Sequence, residues 1–320
     1  MRLLRQFILR IPLLLGITFV SFVLMQWAPG DPSTMLMDPQ IRPEDMAAIK
    51  ANLGLDKPIV VQYFIWLKEL LTGNLGFSYS TGQPVLTMIL DRLPATLILS
   101  LSSLVLIVLI TFPLGLISGY KKGSFFDHAV TVLSFLGLSV PSFWLGLVFI
   151  LFFALDLGWF PTSGYMNPQL VGAPLWERSL SILHHLFLPL LTILVGGIAG
   201  LTRYHRFGII KILDEDYIKA ARARGLSEKR ILFKHAFKNA ALPIVTILGL
   251  QLPGLIGGSF VIEYIFAWPG MGQLGVAAVF SRDYPVLMGT LFFSAILIIL
   301  GNLLADAAYA AIDPRIRRKS

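Results

Sequence analysis

Apolar and polar positions in this chain separate into long blocks rather than short periods. Six stretches are apolar enough to cross a bilayer, whose hydrocarbon core of about 30 Å takes roughly 20 helical residues. They run Phe7–Trp27, Ala95–Gly119, Ala129–Leu155, His185–Leu201, Ala240–Ile262 and Pro285–Ile312. The fourth is the shortest, and Gly196, Gly197 and Gly200 blur its ends. Pro113, Pro189, Pro243 and Pro253 fall inside spans. Prolines there need neighbouring helices or a water-filled cavity to satisfy the freed carbonyls. The pattern predicts an all-α integral membrane protein with six transmembrane helices.

A seventh apolar stretch, Pro58–Leu71, is too short to span and holds Gln62, Lys68 and Glu69. Counting it as a crossing would set every later loop against the charge bias. It is expected as an outer helix packed on the membrane domain. It would be either a structural cap or a landing surface for an extracytoplasmic partner. The chain then divides into a first transmembrane helix (1–28), a long first extracytoplasmic loop (29–94), a five-helix membrane domain (95–312) and a short tail (313–320). The first span has the basic start of a signal peptide but a longer apolar run and no Ala-x-Ala site before Pro29, so a retained signal anchor is expected.

The longest polar run between spans is Asp214–Pro243, which overlaps the inter-span loop covering 203–239. Asp214, Glu215 and Asp216 stand where a helix would begin, matching the positive end of its dipole. Tyr217–Arg224 then forms a short helix whose Ala220, Ala221 and Ala223 expose small side chains. Gly225 suits the position after a helix end that needs positive φ. Ser227 suits the N-cap of a second helix, Glu228–Asn239. A helix of about eight residues is marginal alone, and small side chains let another backbone approach. The segment is therefore either a docking element for a partner protein or a solvated basic loop.

Composition agrees with a membrane protein: 56% of the residues are hydrophobic and 14% charged, with mean hydropathy +0.75, against about a quarter charged in soluble domains. The net charge of +8 comes without an aromatic-basic nucleic-acid module, and topology accounts for it. Lys and Arg concentrate before the first span, at Lys121 and Lys122, between Arg203 and Lys238, and after the last span. By the positive-inside rule both termini and the 203–239 loop are cytoplasmic.

Candidate chemistry is sparse. The chain has no cysteine, no phosphate-binding Gly-rich loop and no hydrolase elbow. His184 and His185 are adjacent and point apart on a helix, so an interfacial pair is preferred to a metal site. Apart from Arg10 near the start of the first, the first five spans hold no Asp, Glu, Lys or Arg, unlike the ionisable interiors of ion-coupled carriers. The sixth holds Asp306, with Asn302 one turn earlier; a structural hydrogen-bonding role is set against a transport site. Gln251 and Gly254-x-x-x-Gly258 in the fifth span, and Gly115-x-x-x-Gly119 in the second, suit close packing, with pathway lining the second reading. No catalytic residue and no metal site are expected, so the chain is passive or its energy arrives from another subunit.

The strings AARARG and SEKRILFKHAFKNAALPI resemble the cytoplasmic loop signature of ABC importer permeases of the oligopeptide, dipeptide and nickel branch. Lys219 stands where the general pattern begins with Glu. APGDPSTMLMDP, GLDKPIVVQY, GNLGFSYSTGQPV, YIFAWPGMGQL and GNLLADAAYAAIDPRIRR follow that branch in order, so the likeness covers nearly the whole chain. The resemblance implies a type I ABC importer permease fold with a cytoplasmic coupling helix. It implies a subunit, without its own ATPase site, that moves oligopeptides or dipeptides through the cytoplasmic membrane by alternating access. Nickel or another small solute is the alternative substrate, and a passive or ion-coupled carrier the alternative class. The implied partners are a second homologous permease, two ATP-binding subunits holding ATP and Mg, an extracytoplasmic binding protein and membrane lipid, with no nucleic acid. Contact with the ATPase subunit would fall on Asp216, Tyr217, Ala220, Ala221, Arg222, Gly225, Leu226 and Ser227.

Overall fold

The computed structural model describes residues 2–27, 57–237, 239–241, 244, 247 and 260–312, with side-chain surroundings from residue 10 to 303 among them. The described residues are helical apart from loops and one isolated antiparallel bridge, Phe77 with Pro84. They form two compact units, 1–96 with 269–299 and 97–268 with 300–320.

In the first unit, α1 (Arg2–Trp27) carries a span from Arg10 to Trp27. The short helix expected in the outer loop is present as α2 (Ile59–Leu71). It lies on α1: the Tyr63 and Thr18 hydroxyls meet at 3.0 Å, and the Gln26 amide donates to Gln62 Oε1 at 2.9 Å. Next comes α3 (Val85–Tyr120), whose 36 residues begin ten positions before the expected span. Asp91, Arg92 and Pro94 end the hydropathy signal there, but backbone hydrogen bonding continues through them. The core of this unit joins Leu70, Leu75, Val85 and Ile89 to Met271, Leu274 and Ala278 of α9 (Met271–Phe280) and Val286 of α10 (Tyr284–Ile312). Thr96 Oγ1 accepts the Met271 N–H at 2.8 Å, satisfying a donor left open at the start of α9.

The second unit continues α3 and adds α4 (Phe125–Ser139), α5 (Ser142–Phe149) with a π-helical extension to Asp156, and α6 (Leu175–Leu213). The expected third span is not straight. The two helices meet at Val140–Pro141 with a bend of 99°, because proline disfavours a helical residue before it and supplies no N–H. The expected short fourth span is instead the middle of a 39-residue helix running through Pro189. Its Arg203, His205 and Arg206 sit on the last turns, beyond the apolar window. The α3–α6 approach uses the Gly115 and Gly119 motif. A Cβ at either would stand 2.7–2.8 Å from His205 or Ile209, so glycine is what lets the two backbones meet. Apolar clusters around Ile107, Leu194 and Leu201, and around Leu116, Ile209, Ala236 and Ala240, fill the space along the same pair.

Four described helices are long and apolar enough to cross a membrane, and the bent pair makes a fifth candidate. The expected span Ala240–Ile262, with Gln251 and the second small-residue motif, lies mostly outside the described residues.

Candidate functional site

The segment after α6 turns sharply and forms α7 (Asp216–Ala223), the helix expected from the capped polar run. Glu215 is the extended residue at its start, and Asp216 in the first turn receives a hydrogen bond from Lys219 at 2.8 Å. That bond holds the exposed Asp216 carboxyl below the usual carboxylate range. Gly225 adopts φ +77°, as expected for a left-handed helix end. The Gly225 N–H donates to Arg222 O at 2.9 Å and the Leu226 N–H to Ala221 O at 3.2 Å, closing the helix.

Two expectations for this segment change. Ser227 has extended backbone geometry at the start of α8 (Glu228–Arg230), but its side chain makes no cap bond. Beyond Arg230 the chain winds as a π-helix, Ile231–Phe237, rather than a regular α-helix to Asn239. Ala220 and Ala223 are exposed, but Ala221 is buried. It packs with Ile218 and Ile231 beside Ile212, Leu213 and Leu226. The period of the helix explains this: residues 218 and 221 share one face, and that face docks on the chain's own core. Arg222 reaches forward to Glu228 with two bonds of 2.8 and 3.3 Å, bracing the elbow across Gly225. The outward face is left with Asp216, Tyr217, Ala220 and Ala223, all exposed. Phe233, on the π-helix, is exposed as well.

The same unit holds a buried ion pair that sequence reading missed. Asp127 at the start of α4 accepts two bonds from the Nε–Nη2 edge of Arg206 of α6, the Nη2 bond being 2.7 Å. The same carboxylate accepts the Ser118 hydroxyl of α3 and the Gly123 N–H at 2.9 Å. Three helices are thus tied at one end by a single side chain that is almost fully buried. The first unit has a counterpart in Asp283, before α10, which accepts the Ser78 hydroxyl, the Tyr79 N–H at 3.1 Å, and the Ser80 N–H and hydroxyl at 3.2 and 2.9 Å. Burial, and then the charge of Asp283, push the Tyr79 phenol above its usual range. Neither carboxylate stood out in sequence, because the partners are 79 and 205 positions away.

The other singled-out residues do not join the elbow. Asn302 is partly buried on α10, and Asp306 lies on the same helix at a position whose side chain falls outside the described ones. His184 Nε2 bonds the Trp159 carbonyl and His185 Nδ1 the Ser181 carbonyl, each at 2.8 Å, so the rings diverge as expected. They border a cleft of about 1000 Å³ with Phe160, Trp176 and Phe187. Among the described residues no three His, Cys, Asp or Glu are grouped to hold a metal ion.

Long apolar helices joined by loops, with polar groups spent on helix ties and one elbow left open, define an α-helical multi-pass membrane protein. Residues 111–318 match the family described as binding-protein-dependent transport system inner membrane component, and residues 1–102 match the corresponding N-terminal component. The chain is 45% identical over 315 residues to the oligopeptide transport system permease protein AppB of Bacillus subtilis (strain 168), covering 98% of each. It is 39% identical over 307 residues to a putative peptide transport system permease protein of Brucella abortus (strain 2308), covering 96% of each. Its fold resembles that of the MetNI methionine ABC transporter in an inward-facing conformation. The TM-score is 0.56 at 19% identity, with 71% of this chain and 97% of the other covered. The chain belongs to the family of binding-protein-dependent transport system inner membrane components.

Proposed function

We propose that this chain is the permease subunit of an ATP-driven importer of oligopeptides or dipeptides. It would work with a second permease, two ATP-binding subunits holding ATP and Mg, and an extracytoplasmic binding protein. It would cross the cytoplasmic membrane six times, with both termini and the 203–239 loop on the cytoplasmic side, in keeping with the charge bias. The peptide class is supported by the names of the relatives, AppB among them.

The observation that carries the reading is the two-faced α7. Ile218 and Ala221 anchor it on the chain's own core, and Asp216, Tyr217, Ala220 and Ala223 remain exposed. A helix this short gains little from its own hydrogen bonds, so its open face serves a partner. Arg222, Gly225, Leu226 and Ser227 set the angle of the elbow and transmit the ATPase subunit's movement through Ile231 to the helix ends tied at Asp127. A ligand can drive such rocking only by differential affinity for the two states, and here ATP would supply it through the docked subunit.

The experiment is reconstitution of the chain with its ATPase subunits, second permease and binding protein in proteoliposomes. Peptide uptake should require ATP, and Gly225→Val should abolish it while the chain remains inserted. Gradient-driven uptake by this chain alone, indifferent to ATP, would remove the reading.

A further inference from the structure

The second helix of the first unit has more apolar surface than its packing uses. One face of α2 is spent inside the unit: Tyr63 and Leu70 are buried, and Trp66 and Leu67 are partly buried. The opposite face carries Val60, Val61, Phe64, Ile65 and Leu71, all exposed, with Phe64 at 60% and Leu71 at 80%. A helix apolar on both faces does not belong in water. An exposed cluster of this kind marks a surface meant for another apolar phase.

The depth of α2 follows from its clasp on α1. The apolar window Arg10–Trp27 has 18 residues, which at about 1.5 Å each cover about 27 Å, close to the thickness of the hydrocarbon core. Thr18 is the ninth of them and sits near the bilayer midplane. The Tyr63 hydroxyl meets Thr18 Oγ1 at 3.0 Å and donates to Leu15 O at 3.2 Å. The Tyr63 ring packs edge-on against Phe19 and Phe22, and Trp66 lies 6.4 Å from Phe22. The Gln62–Gln26 pair marks the upper limit, beside the exposed Trp27. A phenol placed that deep needs a partner, since water is absent, and Thr18 provides it. At the same depth α1 itself turns Val20 and Leu24 outward.

We propose that α2 is embedded in the leaflet bordered by Trp27, with Val60, Val61, Phe64, Ile65 and Leu71 against lipid acyl chains. Its 13 residues give about 20 Å, too little to cross, so it enters and leaves on one side and the parity of later spans is kept. The exposed Lys57, Lys68 and Glu69 mark the ends that reach the headgroups. The inference rests on the chain being a multi-pass membrane protein and not on what it transports.

Because the chain has no cysteine, single labels report cleanly. A fluorophore attached at Val61→Cys, Phe64→Cys or, as the aqueous control, Lys57→Cys is read in proteoliposomes holding the assembled complex. Quenching by bromine-labelled acyl chains should exceed quenching by iodide several-fold at the first two positions, and the order should reverse at Lys57→Cys. Dominant iodide quenching at Phe64→Cys, or protection that appears only on adding binding protein, would overturn the proposal and make α2 a protein landing surface. Protection from both quenchers without binding protein would overturn it in favour of a contact with the second permease. Any of these outcomes leaves ATP-driven uptake, measured on the same vesicles, as a separate readout.

Discussion

The clasp at Asp283 and the elbow at Gly225 are both polar segments next to helix ends, and they are built in opposite ways. At Asp283 the Ser78 and Ser80 hydroxyls and the Tyr79 and Ser80 N–H groups turn inward onto the carboxylate of a residue that is 2% exposed. At the elbow the charges face water and pair only with close neighbours, Lys219 with Asp216 and Arg222 with Glu228. The first arrangement is finished within the chain and holds its loop in place. The second fixes only its inner face and leaves the outer one for something else. A self-satisfied polar cluster speaks for rigidity, and an open one beside a shape-defining glycine speaks for docking.

The comparison can be broken at either end. The largest loss should come from the buried ion pair: Asp127→Ala strands Arg206 and should cost about 3–5 kcal/mol. It is read as lower thermal stability and yield in detergent, with partial recovery in the double variant Asp127→Ala, Arg206→Met. Asp283→Ala should come next. The Ser78 and Ser80 hydroxyls still reach each other and the exposed Ser80 reaches water, so the loss should be about 1–3 kcal/mol in total. Proteolysis between Gly76 and Gln83 should accelerate in that variant. Gly225→Ala places an L-residue at φ +77° and should cost about 1–2 kcal/mol. Its fold should survive, with ATP-driven uptake reduced more than stability. Asp216→Asn should be the mildest, removing only an exposed helix-dipole and Lys219 contribution. Since Lys219 lowers the Asp216 pKa, that contribution is present above the ordinary carboxylate range and lost as pH falls through the lowered value. The wild-type and variant stabilities should therefore converge in acid.

Much of the fold was legible because lipid imposes it. Apolar blocks located the long helices, and Gly225 announced its own conformation through the capped helix before it. What stayed hidden has physical causes. The bend at Val140–Pro141 sits between Ser139 and Ser142 inside an otherwise apolar run, where hydropathy alone does not separate a straight span from a broken one. The π-helical turns at Ile150–Asp156 and Ile231–Phe237 differ from α-helix by hydrogen-bond register, not composition. The start of α3 at Val85 precedes the hydropathy edge, because helices extend beyond the bilayer. Ala221 was read as part of an exposed small-residue face, although the isoleucines at 218 and 231 assign it inward. A bulky residue at Ala221 consequently tests internal packing, while Ala220 tests the open face.

Ala220→Arg is thus the most direct probe. The side chain projects from the exposed face of α7 and disturbs nothing in the chain's own core. In proteoliposomes holding the full complex, the account predicts normal insertion and stability with loss of both ATP-driven peptide uptake and ATPase co-purification. Uptake and co-purification equal to wild type would contradict it.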